Sequence, residues 1–155
     1  MISASALKKL KGQIDHVFHL AAVYDMNMDD ATADRVNNEG TRNVVQFVNG
    51  LGGQVTFHHV SSVAVAGGDY AGRFTEQMFD EGQPLKHPYF RTKFQSEAIV
   101  RDECKAPYRI YRPGVVVGSS QTGEMDKVDG PYYFFKTIQK IRDNLPRWLP
   151  LLGVE

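Results

Sequence analysis

The chain has 155 residues, a length that suits a single domain and allows a real hydrophobic core. Eighteen basic residues balance eighteen acidic ones, so the net charge gives no reason to expect a nucleic-acid partner or an anionic membrane surface. One cysteine excludes an internal disulfide, and the chain shows no signal-peptide pattern and no apolar run of about twenty residues, so we expect a cytoplasmic protein without a membrane span.

The first half of the chain predicts two strands around one helix. Asp15–Ala22 is a short apolar run and predicts a buried strand. Valines near helical spacing predict a helix over about Asp29–Val48, which Gly50–Gly53 would end. Val55–Val60 then predicts the second strand.

The second half of the chain continues the alternation of helices and strands. Gly67–His87 is polar and rich in glycine, which favours an irregular segment near a ligand. Pro88 suits the first turn of a helix, Pro107–Arg112 predicts a third strand, and aromatic spacing in 130–148 indicates an amphipathic helix. Alternating strands and helices predict an α/β fold, with a parallel sheet covered on both faces.

Three side chains outline a site that could reduce a carbonyl group. Tyr89 and Lys93 are four residues apart and therefore lie on one face of the predicted helix, while Ser61 and Ser62 follow the second strand. The phenol can donate a proton, the ammonium can stabilise the charge that remains, and a serine can bind the substrate oxygen. Without further motifs, a packing tyrosine and a solvated lysine would be the favoured explanation of Tyr89 and Lys93.

The chain lacks the glycine-rich turn that opens a dinucleotide-binding fold. Such a turn follows a strand and begins a helix that holds the pyrophosphate. Gly50–Gly53 stands in the reverse order, after a helix and before a strand, and is interpreted as a helix stop. We therefore expect 1–155 to be a partial Rossmann-like domain, continuous with further segments of a larger protein on both sides.

Five segments in order resemble the extended short-chain dehydrogenase/reductase family. They are Asp15–Ala22, the helix motif Asn37–Thr41, the strand end Val60–Gly67, the pair Tyr89 and Lys93, and Arg112–Gly118. Five motifs at plausible separations are a much stronger signal than the Tyr-x-x-x-Lys spacing alone. The register of Val65 and Gly67 favours Ser62 as the active serine, with Ser61 as the alternative.

The resemblance implies roles for named residues. Catalysis would fall to Ser62, Tyr89 and Lys93, and Asn37 would hold a water beside Lys93; a solvated asparagine is the alternative. NADP is the implied cofactor, with NAD possible. Its implied contacts are Leu20, Ala21, Ala22, Tyr89, Lys93, Pro113, Gly114, Val115 and Val116.

A closer similarity lies within the male-sterility or thioester-reductase branch. Gly118–Lys136, with Leu145–Trp148 after it, is similar to the N-terminal reductase domain of bacterial fatty acyl-CoA reductases. That likeness implies NADPH-dependent reduction of acyl-CoA thioesters or fatty aldehydes, with 113–155 leading into the substrate-binding region. The alternatives are a nucleotide-sugar epimerase or dehydratase, a hydroxysteroid dehydrogenase, and a non-catalytic module of the same fold. The fragment alone is expected to be inactive.

Other conspicuous residues favour structural roles. Neighbouring strand residues point to opposite faces, so the histidines at 16, 19, 58 and 59 do not predict a metal site. Cys104 is expected to pack or lie at the surface, and Asn38 is expected at the surface. The aromatic residues at 132–135 predict core packing, with contact to an acyl chain as the alternative.

Overall fold

A computed structural model describes residues 2–23, 29–125 and 132–144 of the chain. The chain separates into two compact units, Met1–Gly114 and Val115–Glu155. No helix in the described ranges is long and apolar enough to cross a membrane.

The first unit alternates helices and strands as the sequence predicts. Its strands are β1 (His16–His19), β2 (Thr56–Val60) and β3 (Tyr108–Tyr111). Its α-helices are α1 (Ala4–Leu10), α2 (Asp30–Ala33), α3 (Gly40–Leu51) and α4 (Pro88–Glu103). A π-helical turn, Asp34–Glu39, joins α2 to α3, and a 3-10 helix, Val63–Ala66, follows β2.

The three strands form a parallel sheet in the order β1-β2-β3. His19 pairs with His59, and Val60 pairs with Tyr111, so all three strands end at the same edge of the sheet. In parallel α/β sheets this carboxyl edge is where ligands bind. The predicted α/β class and parallel sheet are confirmed.

The hydrophobic core lies on one face of the sheet. Helices α3 and α4 pack against each other and against the side chains of β2 that face them, and α1 adds a partly buried contribution. The buried core residues are Val45, Val48, Leu51, Val55, Phe57, Ile99 and Val100.

The opposite face of the sheet is open within the first unit. Phe18 stacks on His58 with ring centroids 4.2 Å apart, yet 61% of Phe18 is exposed. His16 Nδ1 lies 3.0 Å from His58 Nε2, and His58 Nδ1 lies 2.8 Å from the Tyr111 hydroxyl. Of the predicted buried strand Asp15–Ala22, only His19 is buried, because α3 and α4 pack on one face of the sheet.

Local sequence signals explain where the main helices begin and end. His87 caps α4 by accepting a hydrogen bond from the Tyr89 amide, and Pro88 occupies the first turn, as predicted. Helix α3 extends to Leu51, three residues beyond its predicted end, and Gly52 and Gly53 then adopt φ of 64° and 77°.

The second unit contains α5 (Tyr132–Asn144), within the predicted helical stretch 130–148. The remainder of that stretch, including Leu145–Trp148, lies outside the described residues. Tyr133, Phe134 and Phe135 are between 54% and 69% exposed. The prediction that these rings form core is wrong, since α5 buries none of its residues.

Candidate active site

Helix α4 carries a stripe of polar side chains toward the end of β2. Tyr89, Lys93 and Glu97 follow one another at intervals of four residues and so share one helix face. Tyr89 is half-buried, whereas only 4% of Lys93 is exposed. The Lys93 ammonium donates a 2.9 Å hydrogen bond to the Val60 carbonyl, two residues before Ser62. This bond holds the stripe against the end of β2.

Burial makes Lys93 an unusual cation. Loss of hydration lowers the pKa of its ammonium to about 8, although the Glu97 carboxylate opposes that shift. The group is therefore positively charged at neutral pH but close to its titration range. Amines with a pKa in this range are suited to acid-base chemistry near neutral pH.

Two buried histidines lie near Lys93 on the sheet. His19 contacts the Thr41 hydroxyl at 3.0 Å, and burial together with the Lys93 charge lowers its pKa. Burial, Lys93 and His19 lower the pKa of His59 to about 3, so its ring is neutral. Neither ring nitrogen of His59 has a hydrogen-bond partner among the described residues. Neutral rings beneath the ammonium avoid a second positive charge in the same buried region.

The two candidate serines have different partners. Ser61 is buried, and its hydroxyl donates a 2.7 Å hydrogen bond to the Glu97 carboxylate. Ser62 caps the 3-10 helix, where its hydroxyl accepts a 3.1 Å hydrogen bond from the Ala64 amide. Ser62 is only partly buried, so its hydroxyl can also face a ligand. This difference supports Ser62 over Ser61.

Asn37 connects β1 to α4 from within the π-helical turn. Its side chain accepts a 3.0 Å hydrogen bond from the Val23 amide and donates a 3.1 Å bond to the hydroxyl of Thr92, the neighbour of Lys93. Asn38 is also buried, and its amide donates to Gln95 at 2.8 Å, so its predicted surface position is wrong. Asn37 and Asn38 are the two buried residues of the π-helical turn.

A buried ion cluster forms a part of the site that the sequence reasoning missed. Glu97 is fully buried and accepts hydrogen bonds from Ser61, from Arg101 and, in two places, from Arg112. Burial alone would raise the pKa of Glu97, but the bonds from Arg112, Ser61 and Arg101 outweigh it and lower the pKa. The signal available in the sequence was the spacing of four residues from Lys93.

The predicted cofactor residues of the first unit lie at the carboxyl edge of the sheet. Leu20, Ala21 and Ala22 follow β1 directly, and Pro113 and Gly114 follow β3 after one residue. All five are exposed, so their backbone groups are accessible to a ligand. The other two predicted residues, Val115 and Val116, begin the second unit and are also exposed.

The long irregular segment Gly67–His87 packs beside this edge, as the sequence predicts. Arg112 donates hydrogen bonds to the carbonyls of Thr75, at 3.3 Å, and Met78, at 2.8 Å. Phe79 stacks on Phe94 with ring centroids 4.3 Å apart. A cavity of about 700 Å³ is lined in part by residues 74–76 of this segment. Its apolar lining includes Val60, Val63, Ala66, Phe74, Ile110 and Pro113.

A proton donor, a nearby cation and a hydroxyl for the substrate oxygen are the groups that a hydride-transfer site takes from a protein. The first unit has a half-buried phenol, a buried ammonium one turn away and a serine that caps the 3-10 helix. The backbone at the carboxyl edge of the sheet is exposed. A nicotinamide and its ribose fit such an edge, because exposed backbone groups and a lysine can hydrogen-bond them. The chain's sequence has no glycine-rich turn for the pyrophosphate. The residues present therefore fit the nicotinamide side of the cofactor only.

Comparison with known families and proteins gives a consistent result. The family model described as Male sterility protein matches residues 1–151. A nonribosomal peptide synthetase, FrzA, of Cladobotryum sp is 32% identical over 123 residues, which are 73% of this chain and 12% of FrzA. Aldehyde reductase lnbA of Aspergillus flavus is 32% identical over 132 residues, or 79% of this chain and 13% of the relative. The chain thus spans about an eighth of these relatives.

Solved structures with a similar fold include two reductase domains. A thiolation-reductase di-domain from an archaeal non-ribosomal peptide synthetase has a TM-score of 0.69 at 22% identity, covering 91% of this chain and 40% of that one. The terminal R domain of the myxalamid PKS-NRPS pathway has a TM-score of 0.64 at 25% identity, and the match covers 77% of this chain and 31% of that one. A UDP-glucuronic acid 4-epimerase from Bacillus cereus, in complex with NAD, has a TM-score of 0.57 at 26% identity, and the match covers 72% of this chain and 36% of that one.

Proposed function

Because the chain belongs to the Male sterility protein family, within the extended short-chain dehydrogenases/reductases, we propose that it is the catalytic part of an NADPH-dependent reductase. Its substrates would be fatty acyl-CoA thioesters or fatty aldehydes. The observation that carries this proposal is the buried Lys93, held at the end of β2 one helical turn from Tyr89. A reductase of this kind converts a thioester to an aldehyde and a free thiol with consumption of one NADPH and one proton.

Each residue of the site has one task in this proposal. Ser62 hydrogen-bonds the substrate oxygen, and Tyr89 donates a proton to that oxygen as negative charge develops on it. Lys93 stabilises the phenolate that remains, because a cation a few ångströms away favours the charged form of an acid. A bound NADPH would supply the hydride, and Leu20–Ala22 with Pro113 and Gly114 would hold its nicotinamide end; Val115 and Val116 remain predicted contacts.

Asn37 supports the site from behind α4. Its hydrogen bonds to Val23 and Thr92 fix the loop after β1 relative to the turn of α4 that carries Lys93. A water held beside Lys93 remains our proposal for its further role. The cavity lined by Val63 and Pro113 supports an apolar substrate, since most of its wall is apolar, although Glu76, Arg101 and Arg112 also line it.

A second candidate substrate is a thioester carried on a protein. One structurally similar protein is a thiolation-reductase di-domain, and one relative is a nonribosomal peptide synthetase. The chemistry at the carbonyl would be the same, and only the group that delivers the thioester would differ. Epimerase or dehydratase activity shares the catalytic residues as well, so substrate turnover must discriminate among these functions.

The test is NADPH oxidation by the full-length gene product. We expect oxidation that depends on a long-chain acyl-CoA or a fatty aldehyde. Tyr89→Phe should lower kcat at least about a hundredfold, because it removes the proton donor while keeping the ring. Tyr108→Phe is the matched control, since Tyr108 begins β3 at the opposite edge of the sheet and should leave turnover unchanged.

Two results would count against the proposal. Near-normal turnover by Tyr89→Phe would remove the phenol from the mechanism. Oxidation only with a carrier-bound thioester, and none with acyl-CoA or aldehyde, would select the second candidate.

A further inference from the structure

Glu97 joins three elements of the candidate active site through one carboxylate. Its Oε2 accepts hydrogen bonds from the Ser61 hydroxyl at 2.7 Å and from Arg112 Nε at 3.1 Å. Its Oε1 accepts from Arg112 Nη2 at 2.6 Å and from Arg101 Nε at 2.9 Å. None of the Glu97 side chain is exposed, and only 11% of the Arg112 side chain is.

Two of these partners, Ser61 and Arg112, adjoin residues with a proposed task. Ser61 precedes Ser62, which would bind the substrate oxygen. Arg112 precedes Pro113, which would contact the cofactor. Glu97 itself lies one turn after Lys93 on α4. One buried carboxylate therefore connects the ends of β2 and β3 to the helix that carries the acid-base pair.

We propose that Glu97 is a positioning residue of the reductase site, which fixes Ser62, Lys93 and Pro113 relative to one another. This inference rests on the proposed function, and it adds a residue that touches neither substrate nor cofactor. Arg112 extends the connection to the irregular segment, because it also binds the carbonyls of Thr75 and Met78.

The charge of Glu97 is essential to this arrangement. A carboxylate accepts every hydrogen bond directed at it, whereas the amide of glutamine would present a donor to at least one guanidinium or hydroxyl. In either orientation the amide NH2 group would face a nitrogen of Arg112, whose side chain is only 11% exposed and has little access to water. Small displacements of reacting groups lower turnover strongly, so loss of this carboxylate should affect catalysis more than substrate binding.

Glu97 also acts on Lys93 electrostatically. It is the anion that opposes the effect of burial on the pKa of Lys93. Besides Tyr89 on the same helix, the titratable groups near Lys93 include His19 on β1 and His59 on β2, both of which are neutral at pH 7 because burial lowers their pKa. Removal of the Glu97 charge should therefore lower the pKa of Lys93 further.

The experiment compares Glu97→Gln with the wild-type full-length protein. We expect kcat to fall at least about tenfold while KM for the thioester changes less than about threefold. If Lys93 must be protonated, the loss of activity at high pH should move to lower pH in the variant, which a purely structural defect would not cause. Glu103→Gln is the matched control, because Glu103 is on the same helix but pairs with Arg42 and is 40% exposed.

Hydrogen exchange read by mass spectrometry gives a test that does not require turnover. Glu97→Gln should speed amide exchange in 61–66 and 112–114, and Glu103→Gln should not. If the wild-type protein reduces no thioester or aldehyde, the proposed function fails, and exchange alone still decides whether Glu97 connects these segments.

The outcomes separate clearly. Unchanged kcat, pH profile and exchange in a folded Glu97→Gln protein would overturn the inference. If Glu97→Gln does not fold, Ser61→Ala decides, since it removes only the connection to β2. A decrease in kcat of at least about threefold with faster exchange in 61–66 supports the inference, and wild-type behaviour in both overturns it.

Discussion

Lys93 is the residue at which the demands of stability and catalysis differ most. Its pKa is about 8 in the folded chain, whereas an unfolded lysine titrates near 10.4. A difference of this size corresponds to about 3 kcal/mol of instability in the folded state at neutral pH. A residue with only a structural role would not need an ammonium here, so its cost supports a function for the charge.

Lys93→Met should therefore stabilise the domain while it removes activity. We expect the free energy of unfolding at pH 7 to rise by about 1–2 kcal/mol, less than the full cost because the bond to Val60 is lost. The unfolded chain binds more protons than the folded one between about pH 8 and 10. Wild-type stability should thus rise through that range, and the advantage of the variant should disappear.

Urea unfolding read by pulse proteolysis, at pH 7 and at pH 9.5, measures this difference. Lys105→Met is the control, because Lys105 is exposed and its replacement should change the free energy of unfolding by less than about 0.5 kcal/mol. A variant at Lys93 that is less stable than the wild type at pH 7 would contradict the assignment of a costly buried charge.

At the scale of elements, the sequence predicts features that depend on neighbouring residues. It does not predict features that depend on contacts between distant segments. Pro88 and the Tyr89–Lys93 spacing predicted α4, because a helix start and a helix face depend on neighbouring residues. The π-helical turn was not predicted, since Asn37 and Asn38 become buried only when the loop after β1 and α4 pack on both sides of them. The Glu97 cluster joins segments 36 and 15 residues away, which periodicity cannot detect.

The irregular segment is an element whose position depends on one glycine. Gly67 adopts a φ of 75°, and a Cβ atom added there would lie 2.8 Å from the Pro84 carbonyl oxygen. Gln83 holds the same region by a 2.7 Å hydrogen bond to the Val65 carbonyl. The return of the segment toward α4 therefore requires a residue without a side chain at 67.

Gly67→Ala should detach the segment from the end of β2. The positive φ and the contact with a backbone atom together should cost about 2–3 kcal/mol locally. Limited proteolysis within 68–86 should become at least about tenfold faster. Gly82→Ala tests the cause, because Gly82 has a φ of 72° but open space around it. Equal effects of the two substitutions would show that the positive φ alone, and not the contact with Pro84, causes the faster proteolysis.

At the scale of the whole molecule, the chain carries one side of a larger site. It covers between 31% and 40% of the two reductase-domain structures described above. In the proposed site, the first unit would supply the acid-base residues and the edge that faces the cofactor, while Phe18 on its other sheet face is 61% exposed. A pyrophosphate-binding turn is absent from the 155 residues, so the part of the cofactor that contributes most charge has no site in this sequence.

The last prediction follows from that division of the cofactor site. Isothermal titration of the 155-residue chain with NADPH should give no saturable heat up to about 1 mM, because nicotinamide contacts alone are worth only a few kcal/mol. The full-length gene product should bind in the micromolar range. Circular dichroism must first show that the isolated chain is folded. Micromolar binding by the folded chain alone would mean that residues of this sequence hold the phosphates, and the proposed division of the cofactor site would then be wrong.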